Sequence, residues 1–422
     1  MSKTVIRYLY DEKELPRNRM IYLIDTRSST RIKILPPCEN PSLFPKNTMD
    51  SLSFEDFLAS APRDAVVVFT GLAKSSLEFE LVDQGFTNLF NAALLPGRNY
   101  LAFVIEVTTL CNLKCEGCSR SVGIRNDQWL DKHMSFDTYS RMLDHLPDGS
   151  GLILHGVGEP SLLPDYDKFI DHARQRGRFG TIWTTTNGLT RGVDYFKNLV
   201  KLGLSGLTLS MDTLSQSLAD KLRKGTNIEK LKNFTVLLHE SGIDNVINIT
   251  VSKSNLYDLE NTLSWLDGVG KFRVNFSPFQ EFDTKDGQLD KDGMSIFNIL
   301  AHENFRKFEN LKYSFSNTLG PPPDEEICTA PWRVMGINFD GYLTPCCVSW
   351  TPDLMGYSDL KINHFSDIWR SETMQKYLRD YMEEEPEYCS GCQANWREVK
   401  RQRANGEAPR PFTSIVSTLR RW

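Results

Sequence analysis

An α/β fold with a parallel sheet is the fold class that this sequence predicts. From residue 101 to about residue 312, apolar runs of strand length alternate with segments of helical period. Repeated strand–helix units whose strands are almost continuously apolar indicate a parallel sheet with right-handed crossovers. Six such units are too few for a closed eightfold barrel.

The predicted strands and helices alternate along this region. The strands are residues 101–110, 151–157, 180–186, 206–211, 245–251 and 271–276, and the helices are residues 136–146, 165–176, 193–202, 228–241 and 259–266. Loops at the C-terminal ends of parallel strands hold the ligands in such folds. The residues that follow each strand are therefore the candidates for a functional site.

Length, net charge and cysteine content limit the class of protein further. The chain has 422 residues, which predicts two or three domains, and its net charge of −5 gives no general electrostatic case for nucleic acid. No apolar run reaches the ~18 residues that span a membrane, and residues 1–3 do not begin a signal peptide. We therefore expect a cytoplasmic protein, without membrane contact. Its nine cysteines favour metal or redox chemistry over disulfides in that compartment.

Three cysteines follow the first predicted strand directly. Cys111, Cys115 and Cys118 have the spacing Cys-x3-Cys-x2-Cys. Cubane iron–sulfur clusters are held by thiolates on compact loops, whereas zinc prefers four tetrahedral ligands. Three local thiols without a nearby fourth predict a four-iron cluster with one iron open to a non-protein ligand. A partial zinc knuckle is the alternative.

Polar and glycine residues follow the next three strands. The second is followed by a loop that contains Gly156, Gly158, Glu159 and Pro160. Its glycines allow close backbone approach to a ligand, and its carbonyls and Glu159 can accept from an ammonium group, although an ordinary turn also fits. Asn187 follows the third strand and Ser210 ends the fourth. Both suit a diol, but Asn-Gly also marks turns and Ser also caps helices.

A second group of cysteines lies in the C-terminal region, where the strand–helix rhythm stops after Pro321–Pro323. Gly341 suits a hairpin between strands 334–339 and 342–344, which would bring Cys328 and Cys346 together. The later pair Cys389 and Cys392 would then close a four-thiolate site, in which zinc fits as well as a four-iron cluster. Cys347 is an alternative to Cys346, although the Gly-x4-Cys spacing favours Cys346.

These motifs, taken in order, resemble the radical S-adenosylmethionine (SAM) superfamily, and the C-terminal cysteine pattern resembles its SPASM/twitch extensions. The resemblance implies a partial (β/α)6 TIM-like barrel over 100–312, after a small α/β module at 1–99, and a cysteine-rich auxiliary domain at 313–422. It implies that a [4Fe-4S] cluster binds SAM through an open iron and that one auxiliary [4Fe-4S] cluster lies in the C-terminal domain. The implied ligands of the first cluster are Cys111, Cys115 and Cys118, and those of the second are Cys328, Cys346, Cys389 and Cys392.

The same resemblance implies the contacts to SAM. The loop with Gly156, Gly158, Glu159 and Pro160 would hold its amino group, and Asn187 and Ser210 its ribose and carboxylate. In this superfamily, a large or aromatic residue before the third cysteine usually stacks near adenine. This chain has Gly117 there, so we expect adenine to pack on another residue, with Phe276 and Val251 as candidates.

The activity implied is reductive cleavage of SAM to a 5′-deoxyadenosyl radical, which takes hydrogen from a substrate carbon. A flavodoxin or ferredoxin would supply the electron, and the auxiliary cluster would accept one from the substrate. We expect a small polyol, sugar or aminocyclitol as substrate, because residues 1–100 show no leader-binding winged-helix pattern. A ribosomally made peptide is the alternative, and a non-catalytic zinc scaffold is the rival class. Four polar residues near predicted strand ends would either face the substrate or serve only packing: His155, Lys253, Asn275 and Ser277.

The N-terminal module weakly resembles a rhodanese domain. The resemblance rests on the segments LIDTR, VVVFTGLAKSS and DQGFTNLFNAALLPG. Thr70 stands where that family has its catalytic cysteine, so docking or scaffolding is favoured over sulfur transfer. Cys38 stands apart from both cysteine groups and fits a small buried hydrophobe.

Overall fold

The structure is a computed structural model. It describes residues 7–8, 15–17, 19–24, 32–35, 51–69, 81, 84–91, 102–125, 129–280, 287–301, 305–316, 319, 328, 330–344, 346–347, 358–383, 389 and 392. Cys38, Thr70 and Pro321–Pro323 lie outside these residues. Contacts divide the chain into a first unit (1–101, 147–150 and 323–325) and a second unit (102–146, 151–322 and 326–422).

The first unit is a small α/β module. Its strands are β1 (Arg7–Tyr8), β2 (Ile21–Ile24), β3 (Ile32–Leu35), β4 (Ser51–Leu52), β5 (Val66–Phe69) and β6 (Asn88–Asn91), in the sheet order β1-β6-β5-β2-β3-β4. Helix α1 (Phe54–Ser60) begins at Ser53, whose side chain caps the N–H of Asp56. Phe57 on this helix is fully buried and stacks on Phe86 at 5.2 Å between ring centroids.

The second unit is organised by a nine-stranded sheet. Its strands are β7 (Ala102–Glu106), β9 (Gly151–His155), β10 (Ile182–Thr186), β11 (Gly206–Ser210), β13 (Asn245–Val251), β14 (Phe272–Pro278), β15 (Leu311–Phe315), β16 (Val334–Ile337) and β17 (Leu343–Thr344). The order is β15-β14-β13-β11-β10-β9-β7-β16-β17, and every pair is parallel except β16–β17. A separate two-stranded sheet pairs β8 (Lys114–Cys115) with β12 (Arg223–Lys224).

Helices connect the parallel strands and bury one face each. They are α2 (Ser119–Arg125), α3 (Phe136–His145), α4 (Tyr166–Gln175), α5 (Val193–Leu202), α6 (Gln216–Leu222), α7 (Ile228–Ser241), α8 (Leu259–Val269), α9 (Lys291–Ile299), α10 (Ala330–Arg333), α11 (Phe365–Arg370) and α12 (Glu372–Glu383). Helix α7 shows the pattern: Asn227 caps its start, and Leu231, Phe234 and Leu238 are buried at helical spacing. None of the helices described is long and apolar enough to cross a membrane.

The α/β fold class with a mostly parallel sheet is confirmed. Strand 245–251 and helices 193–202 and 228–241 have the predicted bounds. The first strand is shorter than predicted, because Thr109 beyond its end bonds Leu130 O through its side chain at 2.7 Å. The sheet also continues past residue 312, since Val334–Ile337 pairs with β7. Sequence analysis did not predict strand β15 or this pairing.

The predicted hairpin forms between β16 and β17. Gly341 has a φ of +82°, as its turn requires, and the Asn338 side chain accepts from the N–H of Tyr342 at 2.9 Å. The following helix α11 packs on β7 through an edge-to-face contact of Phe365 with Phe103 at 5.3 Å. The C-terminal cysteine region is thus built onto the edge of the parallel sheet that begins with β7.

Glu106 connects the end of β7 to both neighbouring segments. It is 2 % exposed, and the backbone N–H groups of Phe339 and Val157 face its carboxyl group. Burial raises its pKa from 4.5 to about 8, and those N–H groups only partly oppose the shift. Glu106 therefore keeps its proton at neutral pH in the folded protein.

Replacing Glu106 should change how stability depends on pH. The unfolded chain loses this proton above pH 4.5 and the folded chain only near pH 8. The unfolded state therefore binds fewer protons in that window, and the free energy of unfolding falls as pH rises through it. Glu106→Gln, which cannot ionise, should gain on the order of 2 kcal/mol over wild type at pH 8 and little at pH 5.

Thermal unfolding of the anaerobic protein at both pH values measures this. Glu229→Gln, at a side chain that is 83 % exposed on helix α7, is the control and should follow wild type. An advantage of Glu106→Gln that is equal at pH 5 and pH 8 would contradict the buried-acid account.

Candidate functional site

The loop that carries Cys111, Cys115 and Cys118 follows β7, as predicted, and is fixed by backbone pairing. Cys115 pairs with Arg223 in the two-stranded sheet of β8 and β12. Glu116 donates its N–H to Leu222 O at 3.0 Å. A loop that would otherwise be irregular thereby gains hydrogen bonds on both sides of its central cysteine.

Arg120 fixes the other end of the loop from within α2. It is 7 % exposed, and its Nε donates to Thr109 O at 2.9 Å. Its guanidinium also pairs with Asp131 at 3.2 Å. A buried arginine that bonds both a carbonyl and a carboxylate orders the segments around it, because losing either partner would leave a desolvated charge.

The three thiols are chemically suited to a metal cluster. Burial raises the pKa of all three, that of Cys118 to about 12. At Cys115 the positive charge of Arg223 opposes this shift, and at Cys111 the N–H of Leu113 donates to Sγ at 3.4 Å. Buried thiols become thiolates when a metal supplies positive charge, so this donor set fits an iron–sulfur cluster.

Within the described ranges, no group of three His, Cys, Asp or Glu side chains is placed to hold a single metal ion. A zinc ion needs its ligands at about 2.3 Å, whereas a cubane cluster binds each thiolate through a separate iron.

A cavity of about 430 Å³ opens beside this loop at the C-terminal ends of the parallel strands. Its described lining comes from the cysteine loop, strand ends β9, β11, β13 and β14, and the C-terminal region. The lining residues are Cys115, Gly117, Cys118, Ser119, His155, Gly156, Val157, Ser210, Asp212, Leu222, Arg223, Thr250, Ser252, Pro278, Phe279, Gln280 and Cys347. This is the edge of the sheet at which ligand-binding loops were expected.

The loop after β9 lines this cavity with backbone. Gly156 and Val157 are part of the lining, whereas Gly158 packs against the segment that leads to Cys111. A Cβ on Gly158 would lie 2.3 Å from Thr108 O and 2.6 Å from Leu110 O. Glycine is required there because no side chain fits between the two loops.

Glu159 connects the loops around the cavity by accepting hydrogen bonds within the protein. It is 2 % exposed and accepts from Thr186 Oγ1 at 2.8 Å and from Asn187 N–H at 2.8 Å. Asn187 in turn donates its side-chain amide to Asn112 Oδ1 at 2.8 Å, beside Cys111. Glu159, Pro160 and Asn187 thus lie behind the described lining, and their direct contact with SAM stays a prediction.

Ser210 lines the cavity as predicted, together with a charged pair that sequence analysis missed. Arg223 and Asp212 have their charged groups 3.6 Å apart, with 9 % and 13 % of their side chains exposed. Asp212 also accepts from Thr250 N–H at 2.8 Å. Arg223 Nε is buried and finds no hydrogen-bond partner among the described residues. The sequence contains no motif that would single out Arg223, because only the fold of the chain brings this residue next to Cys115.

The aromatic side chain next to the cysteine loop is Phe279. A Cβ on Gly117 would lie 2.3 Å from Phe279 Cε2, so the ring occupies the space of a side chain at residue 117. Phe276 and Val251, the expected adenine contacts, are fully buried and do not belong to the described lining. Phe276 packs on Phe305 at 5.3 Å between ring centroids, and the contact of either residue with adenine stays a prediction.

Among the proposed substrate-facing residues, His155 alone belongs to the cavity lining described. Its Nδ1 lies 2.9 Å from Gly156 O and therefore carries the proton, and burial lowers its pKa to about 4. Asn275 and Ser277 both bond Asn248 Oδ1, at 2.8 Å and 2.9 Å. Lys253 pairs with Asp290 at 2.9 Å.

Three of the C-terminal cysteines lie near one another. Burial raises the pKa of Cys347, and Cys346 and Cys328 add to the shift through their negative charge. Tyr381 on α12 donates to Cys328 O at 3.0 Å. Cys392 donates its N–H to Cys389 O at 3.1 Å. That the Cys389–Cys392 pair joins Cys328 and Cys346 stays a prediction.

The close packing at Gly158 gives a testable consequence for the cluster loop. Gly158→Ala places a methyl group against backbone atoms that cannot rotate away, and overpacking of this kind costs about 1–3 kcal/mol. We expect a lower unfolding temperature and less iron per chain, because the segment before Cys111 must move. Gly268→Ala on α8, where no atom lies within 4 Å, should keep both values. Wild-type iron content in Gly158→Ala would contradict this account of the loop.

The chain is similar to known proteins in family models, in sequence and in fold. The family model described as Radical SAM superfamily matches residues 105–266, and the SPASM model, described as an iron–sulfur cluster-binding domain, matches residues 328–393.

Two relatives and one solved structure illustrate the similarity. A probable GTP 3′,8-cyclase of Methanococcus maripaludis is 25% identical over 69% of this chain and 97% of its own length. A PqqA peptide cyclase of Xanthomonas campestris is 22% identical over 69% of this chain and 79% of its own. The structure of Streptococcus suis SuiB bound to precursor peptide SuiA has a TM-score of 0.53 at 14% identity, covering 75% of this chain and 76% of SuiB.

Proposed function

The chain is a radical SAM enzyme with a C-terminal SPASM iron–sulfur domain, and we propose that its cavity binds SAM beside the loop of Cys111, Cys115 and Cys118. When bound, the reduced cluster and SAM supply a 5′-deoxyadenosyl radical, which takes a hydrogen atom from a substrate carbon. The residues of this chain hold the cofactors, position the substrate and exclude water. The zinc-scaffold interpretation is wrong, because the matched family is one of iron–sulfur enzymes.

The observation that carries the proposal is the convergence of the cysteine loop with four strand ends on one cavity. The lining includes the thiols Cys115 and Cys118, the loop residues Gly156 and Val157, and the side chains of Ser210 and Arg223. SAM has a metal-chelating amino-acid end, a diol and an adenine. Thiols, hydroxyls and a cation around one space match that set of groups.

We assign Arg223 to the carboxylate of SAM. The arginine is buried beside Cys115, its Nε has no described partner, and Asp212 balances only part of its donor capacity. A guanidinium presents five donors in a planar fork, which matches a carboxylate. Phe279, which covers Gly117, is then the proposed contact for adenine.

Arg223→Lys should weaken SAM binding and leave the cluster in place. Lysine keeps the charge beside Asp212 but lacks the planar donors, so the Kd for SAM should rise about tenfold, or about 1.4 kcal/mol. Equilibrium dialysis of the anaerobic iron-loaded protein measures this, with iron content as the second readout.

Arg273→Lys, at a side chain that is 49 % exposed, is the matched control and should bind SAM as wild type does. An unchanged Kd in Arg223→Lys would limit Arg223 to a structural role. Wild type that neither binds SAM nor releases 5′-deoxyadenosine in the presence of dithionite would overturn the proposed function.

An auxiliary iron–sulfur cluster belongs to the SPASM domain, and we propose Cys328, Cys346, Cys389 and Cys392 as its ligands. Cys347, next to Cys346, lies at the cavity, so this cluster would sit within electron-transfer reach of the substrate. We propose that it accepts an electron there when the substrate is oxidised. A flavodoxin or ferredoxin is the proposed reductant of the first cluster, and a cytoplasmic location follows from that partner.

For the substrate we propose a small polyol, sugar or aminocyclitol. The described lining contains the polar side chains of Asp212, Thr250, Ser252 and Gln280. Such side chains recognise hydroxyl and amino groups by hydrogen bonds. A cavity of about 430 Å³ that also holds SAM leaves space for a small molecule.

A ribosomally made peptide is the second candidate, because a PqqA peptide cyclase is among the relatives. The same space would accept one side chain of a peptide. Adding cell-extract fractions to the anaerobic enzyme with SAM and dithionite separates the two. We expect the small-molecule filtrate to stimulate 5′-deoxyadenosine formation and to keep that effect after protease treatment. Stimulation that protease abolishes would favour the peptide.

A further inference from the structure

The cavity contains a thiol that neither cluster requires. Of the three thiols in the described lining, Cys115 and Cys118 belong to the first cysteine motif. The third is Cys347, and the Gly-x4-Cys spacing that starts at Gly341 selects its neighbour Cys346 as the ligand of the auxiliary cluster. Cys347 thus faces the space in which the substrate radical forms.

The cavity around Cys347 is arranged to hold a ligand. Arg223, which is 7 % exposed, lines it with a buried Nε that has no partner among the described residues. Phe279 and Leu222 add apolar surface to the same lining. A ligand held between Arg223 and the cysteine loop would therefore lie in the same cavity as Cys347.

We propose that Cys347 donates a hydrogen atom to the carbon radical formed in this cavity. An S–H bond is weaker than the C–H bonds of polyols, so a carbon radical on such a substrate takes hydrogen from a thiol within reach. The inference rests on the proposed function, since the SAM chemistry generates the radical. Hydrogen return from Cys347 takes the place of the electron transfer to the auxiliary cluster proposed above whenever the substrate leaves at its original oxidation level.

The step is balanced as follows. The S–H bond of Cys347 breaks homolytically, a C–H bond forms at the substrate carbon, and a sulfur radical remains. One electron from a flavodoxin- or ferredoxin-class reductant and one proton from water restore the thiol. The substrate ends at its original oxidation level, and its carbon is inverted when the new hydrogen arrives from the opposite face. With delivery from that face, the net reaction is an epimerisation.

Deuterium transfer without substrate tests whether Cys347 reaches the radical. The anaerobic iron-loaded enzyme is given SAM and dithionite in D2O, in buffer without added thiol, so that Cys347 carries an S–D bond. Wild type should release 5′-deoxyadenosine that contains one deuterium, as measured by mass spectrometry. In Cys347→Ala and Cys347→Ser the deuterated fraction should fall about tenfold, because only stronger O–H bonds and unlabelled C–H bonds remain.

The control is Cys38→Ala, which removes a cysteine outside both groups and should match wild type. A deuterated fraction that does not depend on Cys347 overturns the inference alone. No 5′-deoxyadenosine from wild type overturns the proposed function together with the inference.

A second readout is independent of turnover. Cys347→Ala and Cys347→Ser should both keep the iron content of wild type, because neither proposed set of cluster ligands contains Cys347. Loss of about four irons in these variants would identify Cys347 as a cluster ligand and overturn the inference.

Discussion

The anchoring of the cysteine loop between β7 and its neighbours is the constraint on which the site depends. Arg120 ties the segment after Cys118 back to Thr109 O, and β12 pairs with the segment around Cys115. The loop after β9 packs so closely against the segment before Cys111 that Gly158 has no room for a side chain. Three thiols are thereby held in place by backbone and buried polar contacts that do not involve sulfur.

The same contacts connect the cluster loop to the rest of the cavity. Glu159 accepts hydrogen bonds from the end of β10. Asn187, which follows β10, donates a hydrogen bond to Asn112 in the cysteine loop. Arg223 joins the loop to Asp212 and so to the N–H of Thr250 near the end of β13. These contacts between strand ends therefore fix the positions of the groups that a ligand in the cavity would touch.

The C-terminal region completes this cavity because it belongs to the same sheet. Strand β16 extends the parallel sheet beside β7, and Glu106 lies between the two segments with a proton retained by burial. Cys347, three residues after the short β16–β17 hairpin, belongs to the described lining of the cavity. The proposed auxiliary cluster would therefore lie close to the space proposed for the substrate.

Much of the fold and of the cysteine chemistry was predictable from sequence, because strand and helix periods and thiol spacings are local signals. The bounds of β13, α5 and α7 were predicted residue for residue. Arg223, Phe279 and the cavity position of Cys347 were not predictable, since each depends on contacts between distant segments. The packing of Phe276 against Phe305 was not predictable for the same reason.

The most direct test of the account is a count of iron and sulfide per chain under anaerobic conditions, together with 5′-deoxyadenosine release. Wild type should hold about eight irons, and the Cys111/Cys115/Cys118→Ala variant about four with loss of 5′-deoxyadenosine. About four irons in wild type, and none in this variant, would contradict an auxiliary iron–sulfur cluster. Zinc in place of iron, without SAM cleavage, would contradict the account as a whole.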